Sequence, residues 1–230
     1  MLLLALDTSA AVGVALHDGT SVLAARAEDD PRRHTELLAP AVQAVLEEAG
    51  ADRRDLTAIA VGVGPAPFTG LRVGLVTART LGLVLGVPVH GVCSLDAVAA
   101  TALTAAPDAL AGGFVVATDA RRREVHWGRY AVERAHDPLR GWTRVEGPAV
   151  GAAADVPTGG LPAVGRGARL YPDALPGPEG PDVPAALDPR VLAALAADRL
   201  VRGEPLLPPD PLYLRRPDAT EPGAAKRVTA

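Results

Sequence analysis

The chain has 230 residues, of which 48% are hydrophobic, and a formal net charge of −4. That is enough apolar material for one large core or two small ones, while the negative balance supplies no basic field for holding a phosphate backbone unaided. Cys93 is the only cysteine, which excludes an internal disulfide and a thiolate metal cluster and fits a reducing, cytoplasmic setting.

Residues 2–6 are continuously apolar and predict a strand buried on both faces, ended by Asp7 too early for a signal peptide. Residues 12–16 predict a second strand across the turn Asp7-Thr8-Ser9-Ala10-Ala11. A third starts at Ser21, after His17-Asp18-Gly19-Thr20, where Asp-Gly suits the positive φ values of a tight hairpin.

A helix follows over 34–49, with Leu37, Leu38, Ala41, Val42, Val45, Leu46 and Ala49 as its apolar stripe, Gly50 as its stop and Pro40 bending its first turns. A strand at 58–63 leads into Gly64-Pro65-Ala66-Pro67-Phe68, and Thr69 is the expected cap of a helix reaching Gly86. The apolar stretch 73–89 contains Arg79 and falls short of a bilayer span, so no membrane segment is expected. Residues 87–92 predict a strand, and Ser94 the cap of a helix to about residue 104. This β-β-β-α-β-α-β-α order is that of a ribonuclease-H-like half, in which crossover helices demand parallel pairing.

Residues 114–119, FVVATD, echo LLLALD at 2–7 and mark the start of a second, reduced half. Residues 147–186 are rich in Pro and Gly with little periodicity, leaving a helix at 189–201 and a short segment at 211–215. The expected division is 1–108, 109–215 and a mobile tail, 216–230.

Chemical signals are sparse. Asp7, Thr8 and Ser9 sit where short polar groups could meet nucleotide phosphates, or form only an Asx-type turn. In the second half Asp119 is followed by Ala120-Arg121-Arg122-Arg123, where a phosphate loop would want glycine. The loop at 64–72 has Leu71 and Arg72 where a P-loop needs Lys and Ser or Thr, and two prolines remove donors. The five histidines show no HExxH or HxxxH spacing, so neither a metal site nor a catalytic constellation is expected.

The helix at 70–86 carries Gly70, Gly74, Ala78, Gly82 and Gly86 at every fourth position, which leaves one side nearly flat. Such a face admits a close neighbour, either the chain's own sheet or a partner. The partner reading assigns an interface to His34, Leu38, Val42, Gly70, Gly74, Ala78 and Gly82, with a homodimer on the same helices when the chain is alone.

GPAPFTGLRVG at 64–74 resembles the GPGSFTGLRIG signature of the TsaB (YeaZ) family. LALDTS at the start, DARRREVHWGRY at 119–130 and PLYLR at 211–215 match further family segments in the same order. The resemblance implies an actin-like (ASKHA) α/β fold of two subdomains without its own catalytic site or cofactor. It further implies pairing with the catalytic subunit TsaD and action with the ATPase TsaE. Together these transfer a threonylcarbamoyl group to N6 of adenosine 37 of tRNA, so tRNA is met only through the complex. Ala66 and Pro67 depart from the signature's Gly and Ser, and Ser94 and Val98 stand where the catalytic relatives carry paired histidines. The competing readings are a stand-alone ASKHA-type ATP-dependent small-molecule kinase and, third, a metal-dependent hydrolase.

Overall fold

The computed structural model of the protein describes residues 1–28, 34–180 and 182–215, with the side chain of His34 outside that description. The expected tail from 216 also lies outside the described residues. The first sheet contains β1 (Leu3–Asp7), β2 (Val12–His17), β3 (Val22–Glu28), β4 (Ala58–Gly62) and β5 (Val89–Val92), in the order β3-β2-β1-β4-β5. β1 pairs antiparallel with β2 and parallel with β4, and β4 pairs parallel with β5.

Period-two alternation divides the side chains of this sheet by size. Leu4, Leu6, Ile59 and Val61 face one side and pack with Leu38 and Val45 of α1 (His34–Glu48) and Leu71 and Leu75 of α2 (Phe68–Leu85). Leu3, Ala5, Ala15, Ala58 and Ala60 face the other side. The small volume of the four alanines lets two helices approach there: α3 (Ser94–Ala105) and α5 (Pro189–Val201).

The second sheet has the order β8-β7-β6-β9, from β6 (Phe114–Asp119), β7 (Glu124–Val132), β8 (Trp142–Ala152) and the two-residue β9 (Ala163–Val164). Phe114, Val116, Tyr130 and Trp142 join the α3 core, whereas Val115, Ala117, Val125 and Trp127 are covered by α4 (Arg166–Leu170) and its flanking loops. This is the actin-like fold expected from the sequence, with a smaller second half. The last helix, α5, returns to the first sheet and caps its N-cap Asp188 side chain onto the Arg190 N–H.

Several local expectations are corrected. Thr69 is inside α2, whose N-cap is Pro67, because the fixed φ of proline already sets the entry. Ser94 is the first residue of α3 rather than its cap, because its hydroxyl is engaged elsewhere. In the first hairpin only Gly19 has positive φ; Asp18 instead accepts from the N–H groups of Thr20 and Ser21, both at 2.7 Å, as an Asx turn. α1 ends as foreseen, with Gly50 at φ +63° and the Ala51 N–H returning to Leu46 O at 3.0 Å. α2 is 18 residues long with mean hydropathy 1.3, so by length and composition alone it does meet the requirement for crossing a membrane, against the sequence expectation. In this fold it lies along the first sheet.

Candidate functional site

The end of β1 is held by hydrogen bonds within its own turn and with two distant segments, α2 and the start of α3. Asp7 Oδ1 accepts from the Ser9 N–H at 2.7 Å and from the Ser9 hydroxyl at 2.5 Å, and Oδ2 accepts from the Ser94 hydroxyl at 2.7 Å. Ser94 Oγ in turn accepts from the Gly64 N–H at 3.1 Å. A Cβ on Gly62 would stand 1.6 Å from Asp7 Oδ2, so only glycine fits beneath this carboxylate. Thr8 Oγ1 donates to Gly70 O at 2.8 Å and accepts from the Gly74 N–H at 2.9 Å, bridging consecutive turns of α2.

That bridge corrects the partner reading of the small-residue ladder. Gly74, Ala78 and Gly82 are buried against the chain's own sheet: a Cβ on Gly74 would meet Thr8 Oγ1 at 2.6 Å, and one on Gly82 would meet Val89 Cγ2 at 2.3 Å. Leu38 is likewise buried in the core. Val42 and Gly70 are half-buried, and His34 falls outside the described side chains. The apolar surface that α2 leaves to solvent is on its opposite side, where Val76 is 62%, Leu83 84% and Val84 74% exposed.

The segment after α5 crosses the edge of the first sheet. Leu207 exchanges two backbone hydrogen bonds with Gly91, at 2.7 and 3.0 Å, and the Leu212 N–H bonds Val63 O at 2.8 Å. Tyr213 then packs on Phe68 with ring centroids 4.6 Å apart, Arg72 Nε donates to the Tyr213 hydroxyl at 3.0 Å, and Arg215 pairs with Glu124 of β7. The four sequence segments that carry the family resemblance are thus physically joined.

The second hairpin turns through Arg121, Arg122 and Arg123, all at positive φ (63°, 54° and 63°), a region that costs non-glycine residues about 1–2 kcal/mol each. It is held by the Ala120 N–H to Glu124 O at 3.0 Å and the Arg121 N–H to Asp119 Oδ1 at 2.8 Å. Between the two hairpins lies a cleft of about 990 Å³ lined by Asp7, Ser9, Ser94, Thr118, Asp119, Arg121, Arg166 and Arg169 among others. Asp7 and Ser9 reach this cleft, whereas the Thr8 hydroxyl is spent on α2.

Sequence reasoning missed one buried polar cluster. Asp96 Oδ1 accepts from the Tyr130 hydroxyl and from Arg144 Nη1, both at 2.9 Å, and Arg144 Nη1 also lies 3.0 Å from Cys93 Sγ. Burial pushes the Asp96 carboxyl up, while Arg144 and Tyr130 pull it back down. Burial also raises the Cys93 thiol to about 11. The cluster ties α3 to β7 and β8; its only sequence signal is a single charged residue, Asp96, in the run 94–103. Among the described residues no three His, Cys, Asp or Glu side chains converge as a metal site.

Comparison with known proteins agrees with this architecture. A family model described as TsaD, tRNA N6-adenosine threonylcarbamoyltransferase, matches residues 26–144. An uncharacterized protein of Mycobacterium tuberculosis is 42% identical over 222 residues, covering 94% of this chain and 92% of its own. The tRNA threonylcarbamoyladenosine biosynthesis protein TsaB of Escherichia coli is 40% identical over 132 residues, 56% of this chain and 55% of that protein. The solved structure of YeaZ from Pseudomonas aeruginosa superimposes with a TM-score of 0.74 at 31% identity, covering 93% of this chain and 99% of that one. With the four joined segments and the shared fold, these matches show that the chain belongs to the TsaB (YeaZ) family.

Proposed function

We propose that the chain is a non-catalytic partner subunit in the cytoplasmic formation of threonylcarbamoyladenosine in tRNA. It dimerises with a TsaD-type catalytic subunit and acts with a TsaE-type ATPase, and tRNA is met only in the complex. Family membership supports the pathway. The observation that carries the partner role is the outward face of α2: its inner face is locked onto β1 and β5, yet Val76, Leu83 and Val84 remain in solvent on a rigid support. Ser94 and Val98 stand where catalytic relatives would hold metal, and Ser94 is committed to Asp7 while Val98 is buried.

Without the partner, a homodimer across a two-fold axis covers the same strip, and the two pairings exclude one another. The test is co-purification with the catalytic subunit, comparing the native chain with Val76→Asp and Leu83→Asp. Both variants should fold with stability within about 0.5 kcal/mol of the native chain and lose the partner. Retention of the partner by both variants would move the interface off α2. The cleft favours the kinase reading as the competitor; turnover of ATP by the isolated chain at about 1 per second or faster would establish that reading instead.

A further inference from the structure

Beside the large cleft is a second cavity of about 200 Å³, formed where the Gly64 loop, the second hairpin and the closing segment meet. Arg121, Arg122 and Arg215 line it, and no carboxylate is among its lining residues. Asp119 and Glu124 stand behind the wall, the first 3.5 Å from Arg121 and the second paired with Arg215. Phe68 and Tyr213 close the apolar side.

The remaining polar group is His126, a buried residue whose Nδ1 is sealed from solvent without a hydrogen-bond partner. Burial holds its pKa down at about 4, against the opposing pull of Asp119, so the ring is neutral near pH 7. A neutral imidazole carries one proton, and a sealed nitrogen with no acceptor is tolerated better as a bare lone pair than as an orphan N–H. The proton therefore belongs on Nε2, which makes the ring a donor from its other edge. Three arginines and an imidazole donor with no carboxylate among the lining side chains match an oxyanion.

We propose that this cavity binds a small organic oxyanion, a carboxylate or phosphate on a short apolar stem, with Arg215 and His126 Nε2–H serving the anion and Phe68 and Tyr213 the stem. At about 200 Å³ the cavity is sized for a small anion. The site adjoins the cleft at Asp7, sharing Ala66, Pro67 and Arg121 with it.

The test uses the full isolated chain, labelled with ¹⁵N-histidine, at pH 7 and constant ionic strength in chloride. Propionate and inorganic phosphate are titrated separately while the His126 ring nitrogens are followed by NMR and the binding heat by calorimetry. A saturable shift at His126 with either probe is expected, and the probe that saturates assigns the anion class. Arg215→Gln should weaken it about tenfold, the loss of one charge-assisted hydrogen bond. His126→Phe, similar in size, should abolish the calorimetric signal; if that variant fails to fold, Arg215→Gln alone decides. No saturation with either probe, or binding unchanged in Arg215→Gln and so an adventitious ion only, overturns the proposal.

Discussion

Gly74→Ala measures what the flat face of α2 is for. The added methyl would stand 2.6 Å from Thr8 Oγ1 and 3.3 Å from Leu6 Cδ1. In an open helix, alanine would stabilise by about 1 kcal/mol relative to glycine. Here it must displace the Thr8 hydroxyl from its bridge, losing two hydrogen bonds at about 0.5–1.5 kcal/mol each, and it crowds β1 as well. These losses come to about 2–4 kcal/mol, leaving a net destabilisation of about 1–3 kcal/mol. Urea unfolding should show a lower midpoint at unchanged slope, by about 0.5–1.5 M for a slope near 2 kcal/mol/M. Thr8→Ala combined with Gly74→Ala should cost less than the two single changes summed, because the obstructing oxygen is gone. A Gly74→Ala midpoint equal to or above the native value would refute the locking of α2 by Thr8.

Three further outcomes follow from the buried polar groups. Because burial lowers the His126 pKa from 6.5 to about 4, the unfolded chain binds the proton more readily between those values. Stability is therefore complete above pH 6.5 and falls as pH drops toward 4, by at most about 3 kcal/mol from this residue; His126→Phe should flatten that slope in denaturation curves taken across the range. His17 and His90, lowered by burial as well, add a residual slope of the same sign that the variant leaves in place. Cys93, with its thiol raised to about 11, should resist a thiol-reactive dye at pH 8 until the chain is unfolded; prompt stoichiometric labelling of the native protein would contradict its burial. Arg144→Leu strips Asp96 of its counter-charge and should destabilise by about 3–5 kcal/mol in a thermal melt, whereas a change under about 0.5 kcal/mol would remove the cluster from the account of stability.

β1, β2, β4, β6 and the helix α5 were legible because each is a largely buried apolar run punctuated by Gly or Asp, and β3, only partly buried, because a hairpin turn precedes it. β8 was not, since Gly147 and Pro148 break its alternation. The strand tolerates them because it lies at the sheet edge and pairs only with β7. Five-residue α4 and two-residue β9 are too short to carry a period. At the site, the sequence showed that one face of α2 is flat but not what meets it; that depends on Thr8, far away along the chain, and on the turn that folds Val89 back onto Gly82. His126 and Asp96 were invisible as functional groups for a similar reason. Their character comes from burial by segments that sequence spacing does not connect.

The return of α5 to the first sheet constrains how the chain is made. Leu3, Ala5 and Ala15 leave the ribosome well before side chains that help to cover them, Leu192, Ala193, Leu195 and Ala196. Until then α3 alone covers that face of the first sheet, and completing the cover requires closing a loop of more than a hundred residues, a slow step by its entropy. A fragment ending before Pro189 exposes that face permanently and aggregates, even though it contains every strand of both sheets.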